Sequence, residues 1–153
     1  MTRVLFICHG NICRSTMAEF VFRDMVEKAG LNDKIVCASA ATSREEIGNG
    51  VHYGTARVLD SLGIGNYRHK RAVQMTATDG ENYDYLVCVD QNNIKNATRI
   101  LKVKDIAKLS LLLDFTGSGD QVADPWYTGN FEATKRDVLA GCEALLNHIK
   151  QTL

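Results

Sequence analysis

Four short runs stand out along the chain for their density of Val, Ile, Leu, Phe and Tyr: Thr2 to Cys8, Lys34 to Ala40, Tyr83 to Val89 and Lys108 to Leu113. None shows the strict alternation of a half-wet strand, so each predicts a central strand buried on both faces. Between them the apolar positions recur with helical period. From Ser15 to Ala29, Met17, Phe20, Val21, Met25 and Val26 fall on one stripe before Gly30 ends the pattern. Val51 to Leu62, Asp90 to Leu101 and Phe131 to Leu153 predict three further helices, the last with Val138, Leu139, Cys142, Leu145, Leu146 and Ile149 in register. Strands alternating with helices predict an α/β fold with a parallel sheet covered on both faces, because parallel neighbours need helical crossovers. Ligands of such sheets bind beyond the carboxyl ends of the strands, near the point where strand order reverses, and Cys8 ends a strand. The longest stretch without a pattern, Asp114 to Asn130, contains the single proline, Pro125, and loops of that length are often functional.

Composition narrows the picture. With 153 residues, 45% of them hydrophobic, the chain predicts one domain, 1–153, built on a single core. Eighteen basic and eighteen acidic residues cancel, which removes the long-range field that would favour nucleic acid or an anionic membrane. Any anion site is therefore local. No signal-peptide pattern and no apolar run near ~18–20 residues is present, so the expectation is a soluble, cytoplasmic protein. Five cysteines, Cys8, Cys13, Cys37, Cys88 and Cys142, are an odd number and read as reduced thiols. No Cys-x2-Cys pair or His-x3-His grouping occurs among them and the four histidines, so a bound metal is not implied.

The chemistry concentrates in Cys8-His9-Gly10-Asn11-Ile12-Cys13-Arg14-Ser15, the predicted turn from the first strand into the first helix. Free amides at a helix start point at a bound phosphate, Gly10 and Asn11 accept the backbone angles that curl the loop, and Arg14 adds a bidentate grip. The same positive field favours the Cys8 thiolate, the form that attacks. A lone cysteine ending a strand is ordinarily packing. Here Cys-x5-Arg-Ser joins a nucleophile, an anion receptor and a hydroxyl at one turn, and the predicted strand–turn–helix is the context such a motif requires. Ser15 is expected to cap the helix and also to steady the Cys8 sulfur as it leaves. Cys13, five residues after Cys8, is a possible redox partner that closes a reversible disulfide with an oxidised Cys8.

Val4 to Ser15 resembles the signature of the low-molecular-weight protein tyrosine phosphatases. The likeness continues in Ser39-Ala40-Ala41-Thr42-Ser43, Glu46-Ile47-Gly48-Asn49, Tyr83-Asp84-Tyr85-Leu86-Val87-Cys88 and Asp124-Pro125-Trp126-Tyr127, so it covers nearly the whole chain. It implies a four-stranded parallel sheet with helices on both faces, and hydrolysis of phosphotyrosine in protein substrates through a phosphocysteine intermediate with no cofactor. It further implies that Asp124 is the proton donor to the departing phenolate, although an Asp-Pro pair is by itself a common turn signal. Asn11, Ser39 and His69 would form a supporting hydrogen-bond network with Ser15. Trp126 and Tyr127, with Ile12 and His9, would form the substrate rim. The chain departs from the family in reading His69-Lys70-Arg71-Ala72 where His-x-Ala-Arg is usual. Thr16 and Gly50 stand where many relatives have Pro, and Val89 where Met is common.

Two other activities share parts of this pattern. An arsenate reductase on the same scaffold needs a pair of resolving cysteines after the third strand, where Cys88 stands alone. A phosphocysteine phosphoryl carrier needs neither a catalytic Arg nor a separate acid, and Arg14 and Asp124 argue against it. An inactive phosphotyrosine-binding module would lack Cys8.

Overall fold

In the computed structural model, which describes residues 1–153, the chain lays down four parallel strands in the order β2-β1-β3-β4. These are β1 (Thr2–Cys8), β2 (Ile35–Ala41), β3 (Tyr85–Cys88) and β4 (Leu109–Leu111). The helices are α1 (Arg14–Lys28), α2 (Tyr53–Ser61), α3 (Ala77–Asn82), α4 (Gln91–Ile100), α5 (Pro125–Thr128) and α6 (Phe131–Lys150). The chain leaves β1 for β2 on one side and later returns to pair β3 on the other, so strand order reverses at β1. The loop following Cys8 thus opens at the crevice where parallel sheets of this kind take ligands.

Burial follows the pleat. Val4, Phe6 and Cys8 face the larger core with Met17, Val21, Phe22, Val138, Cys142 and Leu145, whereas Leu5 and Ile7 face the smaller one with Leu86, Cys88 and Ala97. That alternation directs the Cys8 side chain toward α1. The prediction of strands buried on both faces holds for the inner pair and needs correction for both edge strands, β2, in which Val36 is 40% exposed, and β4, in which Leu109 and Ser110 are only partly buried. Edge position leaves one flank of β2 without a neighbouring strand.

The first helix is more deeply buried than an amphipathic stripe suggests. Every residue from Arg14 to Phe22 is buried, polar Ser15, Thr16 and Glu19 included. Its apolar side meets α6, and in this buried first half Ser15 turns to Cys8 and Glu19 to Ser39 of β2. The unpatterned stretch from Asp114 to Asn130 is partly structured: a 3-10 turn covers Leu112–Thr116, and α5 begins at Pro125, whose fixed φ suits a first helical position. Helix α3, six residues long, escapes periodicity and is started by Asp79, whose carboxylate accepts from the Thr76 N–H at 2.8 Å. No helix is long and apolar enough to cross a membrane.

Candidate active site

Backbone accounting picks out the loop from His9 to Cys13. The N–H groups of Gly10, Ile12, Cys13, Arg14 and Ser15 take no acceptor within the chain, although buried amides are nearly always paired. Asn11 adopts φ 59°, the one non-glycine residue in the left-handed region, and this reversal curls the loop. Helix α1 has Cys13 at its N-cap position with no side-chain capping bond. By contrast, side chains of His52, Asp90, Asp124 and Asn130 cap α2, α4, α5 and α6. The positive end of α1 and a ring of free amides therefore face one cavity of about 460 Å³, with Cys8 on its lining. The arrangement is an anion receptor. The expectation that Ser15 caps α1 is corrected: Ser15 lies inside the helix, and its hydroxyl is engaged with Cys8.

Cys8 Sγ lies 2.9 Å from Ser15 Oγ and accepts from the Asn11 N–H at 3.2 Å. The direction of the first contact follows from its neighbours. Asn11 Oδ1 accepts from the Val73 N–H at 3.2 Å, which turns the Asn11 amide nitrogen toward two hydroxyls, Ser15 Oγ at 2.9 Å and Ser39 Oγ at 2.8 Å. Each hydroxyl accepts from Asn11 and keeps its own proton to give away. Ser39 donates to Glu19 Oε1 at 2.5 Å, and Ser15 donates to the Cys8 sulfur. Asn11, Ser15 and Ser39 thus meet as the sequence suggested. His69 does not join them: it is exposed on the turn before Lys70 and makes no side-chain hydrogen bond. Its neighbour Lys70 reaches the network instead, donating from Nζ to the Ser39 carbonyl at 2.9 Å. The physical reason is register. Ala72 is 2% exposed and packs with Ile12 and Cys13, so counting back two from this buried alanine in His-x-Ala-Arg lands on Lys70.

Arg14 projects into the same cavity and is held from behind. Nη1 donates to the Val122 carbonyl at 3.1 Å, Nη2 donates to Asp90 Oδ2 at 2.7 Å, and Asp124 Oδ2 stands 3.3 Å from Nη2. Asp90, two residues beyond the end of β3, also accepts the Asn93 N–H with its other oxygen, so one carboxylate both caps α4 and orients the guanidinium. Asp124 caps α5 through Oδ1, accepting from the Trp126 N–H at 3.0 Å, and presents Oδ2 to the cavity beside Arg14.

The cavity lining holds both aromatic and acidic side chains. Trp126 and Tyr127 are 68% and 89% exposed, so neither is a core residue, and both line the cavity with Ile12 and His9. His52, not anticipated from the sequence, stacks between Tyr53 at 4.4 Å and Phe131 at 5.4 Å and meets the Trp126 ring edge at 5.7 Å. Glu45, bonded to His9 Nε2 at 3.0 Å, and Glu46 also line the cavity. The Thr55 hydroxyl stands 3.2 Å from the Cys13 carbonyl oxygen and 3.5 Å from its sulfur, and burial pushes the Cys13 thiol up to about 12. Burial likewise pushes Cys88 up and Cys37 up to about 12, so neither offers a ready thiolate. No group of three or more His, Cys, Asp or Glu side chains is placed to hold a metal ion.

Residues 3–153 match the family model for low molecular weight phosphotyrosine protein phosphatase. The chain is 40% identical over 153 residues to low molecular weight protein-tyrosine-phosphatase YfkJ of Bacillus subtilis, covering 99% of this chain and 97% of that one. The crystal structure of YfkJ superposes with a TM-score of 0.94 over 99% of this chain and 96% of that chain. That of SP-PTP, a low molecular weight protein tyrosine phosphatase from Streptococcus pyogenes, gives 0.87 at 38% identity, covering 97% and 93%.

Proposed function

The chain belongs to the low molecular weight phosphotyrosine protein phosphatase family, and from that premise we propose the roles by which its own residues hydrolyse phosphotyrosine in protein substrates, the whole of 1–153 acting as one phosphatase domain. The single observation that carries the assignment is that Cys8, the unpaired loop amides and Arg14 line one cavity. The Cys8 thiolate attacks phosphorus, forming the sulfur–phosphorus bond as the bond to the phenolic oxygen breaks. Arg14 and the loop amides hold the equatorial oxygens, where charge must be stabilised. Asp124 gives its proton to the departing phenolate. In the resting site Asp124 faces Arg14; the phosphate dianion takes over as Arg14's partner, and the carboxyl facing it carries the proton the leaving group needs.

In the second step water attacks phosphocysteine, Asp124 takes the water proton, and the sulfur departs as a thiolate that receives the Ser15 hydroxyl. Trp126 and Tyr127 are exposed beside the opening, and the flat ring of a phosphotyrosine suits such walls. The arsenate reductase alternative is not favoured, because Cys88 is fully buried in β3. Nor is a phosphoryl carrier, given an acid poised beside Arg14. The work is assigned to the cytoplasm. Cys13 lines the Cys8 cavity, and its disulfide with oxidised Cys8 is a further role for the loop; the raised thiol makes that closure slow near neutral pH, and peroxide-treated protein without the bridge would remove the idea.

Phosphate release from an aryl phosphate and a phosphotyrosine peptide, with chelator present, tests the reading. Turnover is expected in native protein, lost in Cys8→Ser and reduced in Asp124→Asn. Reduced native protein without turnover on either substrate overturns it.

A further inference from the structure

Behind the phosphate loop lies a largely buried cluster of three charges, Glu19, Arg23 and Lys70, in which Glu19 ends the hydrogen-bond chain and Lys70 stands beside it. Glu19 has 6% side-chain exposure, and its Oε2 accepts from Arg23 Nη2 at 2.6 Å. Arg23 is further committed to the Cys37 carbonyl at 2.9 Å and lies over the Phe20 ring at 4.9 Å. Lys70, with 13% side-chain exposure, stands 3.8 Å from Glu19 Oε1, the same oxygen that accepts the Ser39 hydroxyl, and donates to the Ser39 carbonyl. A lysine so enclosed is uncommon, and it needs a reason beyond packing.

We propose that Lys70 is a positioning residue for the phosphatase reaction, holding the segment that fixes Asn11 and giving the Glu19–Arg23 pair behind the Cys8 loop a net positive charge.

Two lines of geometry support this. First, Lys70 opens a segment that runs beside the end of β2: the Ala72 N–H donates to the Asn49 carbonyl, Ala41 and Val73 pair at 2.7 Å, and Met75 donates to the Ala41 carbonyl at 2.8 Å. That segment delivers the Val73 N–H to Asn11 Oδ1, the bond that sets the direction of every donor in the chain ending on Cys8. Anchoring Lys70 on the Ser39 carbonyl fixes the start of the segment. Second, the Glu19–Arg23 pair alone is neutral, behind a site that must hold a thiolate and a phosphate dianion. With Arg23 and Lys70 the cluster carries one negative and two positive charges, so its field favours both. The charged groups facing Lys70 are Glu19, Arg23 and Cys8; burial lowers its affinity for a proton, and Glu19 and the Cys8 thiolate restore part of it.

The role rests on the phosphatase reading, and the test separates the two. Native protein, Lys70→Met, Lys70→Gln and Lys70→Arg are compared in aryl phosphate turnover and in the pH profile of Cys8 alkylation by iodoacetamide. Lys70→Met is expected to lower kcat/KM about tenfold and to displace the alkylation profile to higher pH, with Lys70→Arg recovering most of both. Lys70→Gln keeps a donor for the Ser39 carbonyl without the charge, and its alkylation profile is displaced in the same direction; it serves as the reading variant if Lys70→Met does not fold. Native-like alkylation and turnover in the folded uncharged variants would overturn the proposal. Absence of turnover in native protein would overturn the phosphatase reading, while the alkylation profiles still judge Lys70 by themselves.

Discussion

Arg14 and Asp90 form an ion pair at 2.7 Å with side chains 7% and 16% exposed, so the guanidinium that faces the cavity is aimed by a carboxylate from the end of a different strand. The Arg14 side chain is flexible, and a bidentate grip on phosphate requires its plane to be set before the ligand arrives. Asp90→Asn keeps an acceptor for the α4 cap and removes the charge. It is expected to raise the KM for an aryl phosphate and the inhibition constant of inorganic phosphate together, each roughly tenfold, the equivalent of ~1.4 kcal/mol. Unchanged phosphate inhibition would show that Val122 and Asp124 orient Arg14 without it.

Asp124 is predicted to act on the leaving group. Asp124→Asn retains an oxygen able to cap α5, so folding and phosphate affinity should hold, while kcat falls about a hundredfold for aryl phosphates with a poor leaving group and much less for a nitrophenolate that departs without a proton. Steady-state kinetics over a series of phenols measure this. Equal losses across the series would argue that Asp124 serves Arg14 and not the phenolate.

Ser15 meets the sulfur when it departs. Ser15→Ala leaves the cradle amides in place and removes the hydroxyl 2.9 Å from Cys8 Sγ. Hydrolysis of phosphocysteine then becomes the slow step, with kcat down about tenfold and a burst of phenol release equal to the enzyme present. Stopped-flow measurement of that burst checks the prediction; a linear trace with reduced slope would place the effect on the first step.

The pH dependence of stability has a definite sign at His52. Burial lowers this histidine below its ordinary value of 6.5, and its Nδ1 accepts from the Gly54 N–H at 3.0 Å, which a protonated ring nitrogen cannot do. The folded state therefore binds the proton less well than the unfolded chain. His52's contribution is complete above the unfolded value, falls as pH drops through 6.5, and has gone once pH passes the lower folded value. Thermal unfolding followed across that interval should show a shallower acid decline in His52→Asn, which caps α2 without titrating there. Identical slopes would show that the acid decline has its origin in other groups.

What the sequence made readable was local. β1 spans Thr2–Cys8 as its apolar run predicts, and α1 differs from prediction by one residue at each end, because both signals come from neighbours along the chain. The Cys8 to Ser15 motif compresses a strand end, a turn and a helix start into eight residues and carries its chemistry with it. Glu19 and Lys70 are hidden for the opposite reason. Each reads locally as an ordinary surface charge, and their burial comes from packing α1 against a segment some fifty residues away in the chain. Asp90 looks like a helix start and is one; its second oxygen, on Arg14, depends on β3 lying beside β1. Expecting His69 where Lys70 stands is a register error of one residue that the burial of Ala72 resolves.

The most direct test is to quench the reaction of native protein with an aryl phosphate in acid, before the steady state, and find where the phosphoryl group is. Nucleophilic attack by Cys8 predicts a phosphoryl group on its sulfur, accumulating further in Ser15→Ala and absent in Cys8→Ser. A phosphoryl group on another side chain, or sustained turnover by Cys8→Ser with no phosphoenzyme at all, would contradict that mechanism.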